Sequence, residues 1–222
     1  MSKLKIETCY RCDQPRTSRD HVPPLCFFPK EQRNKLITVP ACDLHNNEQS
    51  EGDELIRNLA TMNIQAGNAG LEQFEVSMRG MVRKKAPKLK ATSAKYVNPN
   101  TGVAEAAYAV VIDAKKVEAA LEKIALGLHF HITGSRCKFS PTIVNLLTHS
   151  RDSSLREQTH SIYNRAIATL GTTPRIGENP AIFSYRHTSF SQPADCSHPP
   201  FELIVAEFYE APAFIAVFSA DG

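Results

Sequence analysis

The chain has 222 residues, among them six cysteines and eight histidines, and four of these side chains are spaced for metal chemistry. Cys9-Tyr-Arg-Cys12 and Cys42-Asp-Leu-His45 are two ligand pairs, each with two intervening residues. A turn of that length presents two soft or borderline donors at the bite of a tetrahedral Zn2+. Cys9, Cys12, Cys42 and His45 are therefore the expected ligands of a closed, structural zinc site. The 29 residues between the pairs exceed the gap of a usual zinc ribbon, which implies that something functional is folded between them. Inside that bracket stands the dipeptide Asp20-His21, and Asn46 directly follows the second pair. Cys26 also lies inside the bracket and is an alternative zinc ligand. Cys137 and Cys196 have no partner at metal spacing and read as small core residues.

Taken in order, CYRC, DHVPP, LITVPAC and CDLHN resemble the HNH endonucleases of the ββα-metal superfamily. Zinc-containing members of that family run CxxC, then Asp-His or Glu-His followed by Ile/Val-x-Pro. A strand ending in Val/Leu-Pro-x-Cys comes next, then CxxC followed by Asn or His. The resemblance spans residues 9 to about 57 and does not extend over the rest of the chain. It implies a metal-dependent endonuclease acting on phosphodiester bonds of nucleic acid, DNA rather than RNA. Hydrolysis of that bond needs a water, a base to take its proton, and a cation near the charge that develops on the leaving oxygen. The resemblance assigns the base to His21, whose imidazole accepts a proton at neutral pH. It assigns a single Mg2+ or Mn2+ to Asp20 and Asn46, because oxygen ligands and water suit a hard cation. The family's middle Asn would fall near Ile37, and Asn34 is the nearest candidate. The fourth zinc ligand is His45 where Cys is commoner. In an alternative assignment His45 serves the catalytic ion and zinc keeps three protein ligands.

The elements expected to carry these residues follow from local pattern. A short strand over LKIE leads into the first cysteine turn, and residues 17 to 24 are extended, with Pro23 and Pro24 enforcing that geometry. Phe27 and Phe28 lie in a loop and are expected to pack under the site. LITVP, at 36 to 40, is rich in β-branched residues and reads as a second strand. From Asp43 the pattern is helical, with Leu55, Ile56, Leu59 and Met62 at helix spacing up to Gly67 or Gly70. On that helix Asp53 is placed to pair with Arg57 at i+4, or to orient a metal ligand. Residues 1 to 70 thus form an expected zinc-stapled ββα module. Residues 71 to 222 form an expected α+β region with antiparallel strands, serving docking, dimerisation or partner binding. In it a helix covers 71 to 85, two strands flank the turn Asn98 to Gly102, and residues 141 to 148 read equally as strand or short helix. Asp113 caps a helix striped by Val117, Leu121, Ile124 and Leu128. A further helix spans 153 to 171 with Gly171 past its end. Strands surround AIFSY, FELIVAEFY and FIAVFS. His129 and His131 alternate at a helix end with no third ligand in sight, and the remaining histidines are scattered.

Hydrophobic residues make up 42% and charged residues 22%, ordinary values for a globular protein, and a net charge of +3 says little about partners. Its distribution says more. Residues 79 to 95 hold seven Lys or Arg and no acid. Arg79, Arg83, Lys84, Lys85, Lys88 and Lys90 are the expected contacts to a phosphate backbone, whose charge is densely spaced. A solvated basic loop between domains would show the same composition. The start, MSKLKIET, carries no apolar run of a signal peptide, and no window reaches the length of a membrane span. A cytoplasmic location, no membrane partner, and metal rather than disulfides for the cysteines are the expectation. Two other functions stay open: a zinc-knuckle nucleic-acid-binding or adaptor protein with an inactive site, and an effector nuclease that acts only with a partner, for example in phage defence.

Overall fold

A computed structural model describes residues 8–48, 50–63, 65–84, 91–97, 103–148, 152–190 and 201–219. It is a mixed helix and sheet protein with antiparallel strands. The expected strand at LKIE lies outside the described residues. Strand β1 (Ser18–His21) pairs antiparallel with β2 (Thr38–Ala41), in a register that sets Asp20 opposite Val39 and His21 opposite Thr38. The loop between them forms two 3-10 turns, and Phe27 and Phe28 are buried, as the sequence implied. The helical pattern that starts at Asp43 divides into α1 (Asp43–Asn47) and α2 (Ser50–Thr61). Ile56 is the fully buried member of the expected stripe, whereas Met62 lies past the end of α2 and is 38% exposed. The local order is therefore strand, loop, strand, helix.

Helix α3 (Asn68–Lys84) is followed by an antiparallel pair, β3 (Ala91–Val97) and β4 (Ala104–Val110). The turn expected at 98 to 102 falls outside the described residues. Helix α4 (Ala114–Thr133) begins as expected, with the Asp113 side chain accepting from the Lys116 backbone N–H at 3.3 Å. Its Val117, Leu121, Ile124 and Leu128 are all buried. Residues 142 to 145 turn out to be strand β5 (Thr142–Asn145), and α5 (Ser153–Leu170) ends at Gly171, whose φ is 52°. Strands β6 (Phe183–Phe190), β7 (Phe201–Phe208) and β8 (Ala211–Ser219) complete a four-stranded antiparallel sheet in the order β5-β8-β7-β6.

Successive strand residues face opposite sides, and both sides of this sheet are covered. Leu203, Val205 and Ile215 meet Ala166 and Leu170 of α5. Ile204, Ala206, Phe208, Phe214, Ala216 and Phe218 face a larger core shared with α4 and with Cys9, Tyr10, Val22, Phe27, Val39 and Ile56. That double covering explains why β7 and β8 read as near-continuous apolar runs in place of an alternation. Among the described residues, the buried apolar side chains of the N-terminal segment share one core with α4 and the sheet. The β7–β8 turn fastens them further. Tyr209, at φ 53°, is fully buried and donates its hydroxyl to the Phe27 carbonyl at 2.9 Å. Two positive-φ residues match the right-handed twist of a two-residue hairpin, and burial of the Tyr209 ring offsets the strain of a side chain there.

Candidate metal centre and the buried Asp20 site

The first cysteine turn reaches the second through backbone as well as ligands. Tyr10 donates its N–H to the Pro40 carbonyl at 2.8 Å, and Thr17 donates its N–H to the Ala41 carbonyl at 3.0 Å. These bonds hold the Cys9 turn against the end of β2, from which Cys42 emerges as the residue before α1. One turn into α1, His45 comes back over Cys42. The result is a tetrad: donor atoms of Cys9, Cys12, Cys42 and His45 all lie within 4.8 Å of one another. His45 Nδ1 is 3.3 Å from Cys9 Sγ and 3.4 Å from Cys42 Sγ, and the Sγ atoms of Cys12 and Cys42 are 3.8 Å apart. A tetrahedral zinc with bonds of about 2.3 Å to sulfur and about 2.0 Å to nitrogen requires edges of about 3.8 and 3.5 Å. The donors fit that ion in type, number and spacing, and the described cysteines form no disulfide.

The surroundings also suit thiolate ligands. Arg11 donates its backbone N–H to Cys9 Sγ at 3.4 Å, and the backbone N–H of His45 holds the Cys42 thiol below its ordinary pKa. Burial lowers the pKa of His45 as well, with Arg11 adding to the effect, which keeps the imidazole neutral for a metal. Arg11 bridges to Glu48 at 3.3 Å and fastens the knuckle to the end of α1. Cys26 takes no part: it lies against the Asp53 carbonyl, and burial pushes its thiol up to about 12.

Asp20 and His21 separate. As neighbours on β1 they point to opposite faces of the hairpin. Asp20 faces α4 together with Val22, and Gly127 of α4 lies so close to Val22 that a Cβ there would sit 2.5 Å from Val22 Cγ2. Four residues before Gly127, on the same side of the helix, Lys123 reaches into the gap. Its Nζ is 3.3 Å from Asp20 Oδ2 and 3.0 Å from Asp53 Oδ2 of α2, with the lysine side chain only 3% exposed. Tyr10 donates its hydroxyl to the same Asp20 Oδ2 at 3.2 Å. Burial raises the pKa of both carboxyls, and the Lys123 ammonium opposes the rise at each. The expected pairing of Asp53 with Arg57 does not occur: Arg57 bonds Asn58 Oδ1 at 2.9 Å, and Asp53 turns inward to Lys123.

A catalytic Mg2+ or Mn2+ does not fit Asp20 as it stands, because an ammonium, a phenol and the interior already surround its carboxylate. Asn46 is half-buried on α1, and among the described residues no hydrogen bond joins it to Asp20 or His21. His21 is half-exposed on the outer face of the hairpin. Burial lowers its pKa, the Asp20 charge opposes this, and Arg33 adds to it. Arg19, two residues back on the same face, donates to Thr38 Oγ1 at 2.9 Å. Of the expected phosphate contacts, Arg79 pairs with Glu75 at 3.2 Å, Arg83 and Lys84 sit on the last turn of α3, and Lys85, Lys88 and Lys90 lie outside the described residues. His129 binds Glu202 through Nδ1 at 2.5 Å and stacks on Phe218. No described helix is long and apolar enough to cross a membrane.

Lys123 and Tyr10 are the two participants that spacing did not single out. Lys123 follows Glu122 in a helix that also carries Lys115, Lys116 and Glu118, so its charge did not stand out. No protein-family model, curated protein or solved structure matches this chain.

Proposed function

We propose that residues 1 to 70 are a zinc-closed nuclease module of the HNH type that hydrolyses a phosphodiester of nucleic acid, DNA in the first instance. The observation that supports this is the tetrad that closes the β1–β2 hairpin onto α1 while leaving His21 half-exposed on the opposite side from the buried Asp20. Bound Zn2+ would be a structural staple, held by Cys9, Cys12, Cys42 and His45 with no open position. The reaction falls to the outer face. There the imidazole of His21 takes the proton of the attacking water, and its lowered pKa keeps it unprotonated at neutral pH. Arg19 and Arg33 supply positive charge for the phosphate beside it.

A second reading is favoured by one specific observation: Asp20 is held by Lys123, so the same hairpin also suits a nucleic-acid-binding or adaptor protein without hydrolysis. Incubating the zinc-loaded protein with supercoiled plasmid, with and without Mg2+ or Mn2+, separates the two. The nuclease reading expects nicking or linearisation that His21→Ala abolishes while zinc content and folding stay intact. Cleavage by that variant at the wild-type rate would remove the assignment. Retardation of DNA without cleavage by the wild-type protein would establish the binding reading instead.

A further inference from the structure

We infer that Lys123 is the resident cation of the Asp20 site: its ammonium stands where a divalent ion would otherwise bridge the Asp20 and Asp53 carboxylates, and the wild-type chain binds no divalent ion there. The geometry is that of a two-carboxylate cation site with the cation supplied in cis. One Nζ lies within 3.3 Å of oxygens from two different elements, β1 and α2, and all three side chains are shielded from solvent. Two carboxylates face a single ammonium, and among the described residues the buried Asp53 Oδ1 has no hydrogen-bond partner. An unsatisfied buried carboxylate oxygen is costly to leave. Removing the ammonium would leave two hard oxygen donors from β1 and α2 beside each other, a donor set that suits Mg2+, Mn2+, Ca2+ or a lanthanide. Helix α4 is thus the arm that fills the site, and the closeness of Gly127 to Val22 is what lets Lys123 reach it. The inference concerns ion binding alone and does not depend on whether His21 cleaves nucleic acid.

Tyrosine-sensitised terbium luminescence tests it, because Tyr10 touches Asp20 and the chain contains no tryptophan. Tb3+ is a hard ion that avoids the thiolate tetrad. The zinc-loaded full chain is titrated with Tb3+ as wild type, Asp20→Asn, Lys123→Met and the double variant, with circular dichroism and zinc content read on each. The expected result is no Asp20-dependent emission in the wild type. Lys123→Met should gain emission with a midpoint at least about tenfold lower than any wild-type signal, and Asp20→Asn should abolish that gain. Wild-type emission that Asp20→Asn removes would overturn the inference, since an ion would then bind despite Lys123. A folded Lys123→Met that gains no emission would overturn it equally, since the carboxylates would then form no cation site. If Lys123→Met does not fold, the comparison of wild type with Asp20→Asn decides by itself. Equal emission from those two proteins upholds the inference, and a difference sinks it.

Discussion

The two charged centres of this protein lie on either side of Tyr10 and solve the same electrostatic problem in opposite ways. Around Cys9, Cys12, Cys42 and His45 the donors are three thiols and an imidazole at the mouth of a turn, and the nearby Arg11 pairs with Glu48. Its donor set suits an ion taken from outside. Around Asp20 and Asp53 the donors are hard, the position is deeper, and the chain supplies its own cation from α4. The difference teaches what each centre is for. A metal at the tetrad would join two turns that are distant in sequence, residues 9 to 12 and 42 to 45. The carboxylate pair sits where α2, α4 and β1 already share a core, and an internal lysine neutralises charge there without making folding depend on a metal.

The largest effect expected from this contrast is at the tetrad. Structural zinc contributes on the order of 10 kcal/mol to the folding of small zinc modules. Cys42→Ser, or chelation of the wild type, should release the metal and remove hydrogen-exchange protection from β1, β2 and α1, with a smaller loss in β7 and β8, which have the sheet to support them. Unchanged protection after the zinc has left would mean that the shared core alone holds the hairpin. Next in size is Lys123→Met. Removing one partner of a buried ion pair costs about 3–5 kcal/mol, because the remaining charges stay buried. Chemical denaturation should show a loss of that order without loss of zinc at neutral pH. Replacing Asp20, Asp53 and Lys123 together by apolar residues of similar volume should restore much of it. A triple variant as unstable as Lys123→Met would mean that the triad is net favourable in itself.

The tetrad was legible in the sequence because its signal is local: two turns of fixed length carry the ligands, and the fold has only to bring the turns together. The Asp113 cap, the α4 stripe and the Gly171 stop were legible for the same reason, each being decided within one or two helical turns. The partition of Asp20 from His21 was also within reach, since adjacent residues on a strand cannot face the same side. The Asp-His pairing of the family resemblance obscured it. Lys123 was not legible. A lysine inside an amphipathic helix reads as solvated, and its burial is set by Asp53, 70 residues away, and by Asp20 beyond that. The partner of Asp53 went astray by the same route. Arg57 is the nearest cation in sequence, but the inward face of α2 is turned to α4 by Ile56, which directs Asp53 to Lys123.

The smallest expected effect, and the sharpest test of the contrast, lies at Tyr10 itself. Its backbone belongs to the cysteine turn, between Cys9 and Cys12, while its hydroxyl belongs to the other centre through Asp20 Oδ2 at 3.2 Å. Tyr10→Phe keeps the ring that fills the core and deletes only the donor. A hydrogen bond to a charged acceptor contributes about 2 kcal/mol, and Asp20 retains Lys123, so the loss should fall at or below that figure. Zinc affinity, read by competition with a chromophoric chelator, should not move, because no metal ligand and no backbone bond of the knuckle is altered. In a double-mutant cycle with Lys123→Met the two losses should fail to add, since both act on one carboxylate oxygen. With Cys42→Ser they should add. Weaker zinc binding in Tyr10→Phe would show the reverse: the hydroxyl bond would then be holding the Cys9 turn in place, and the two centres would be halves of one.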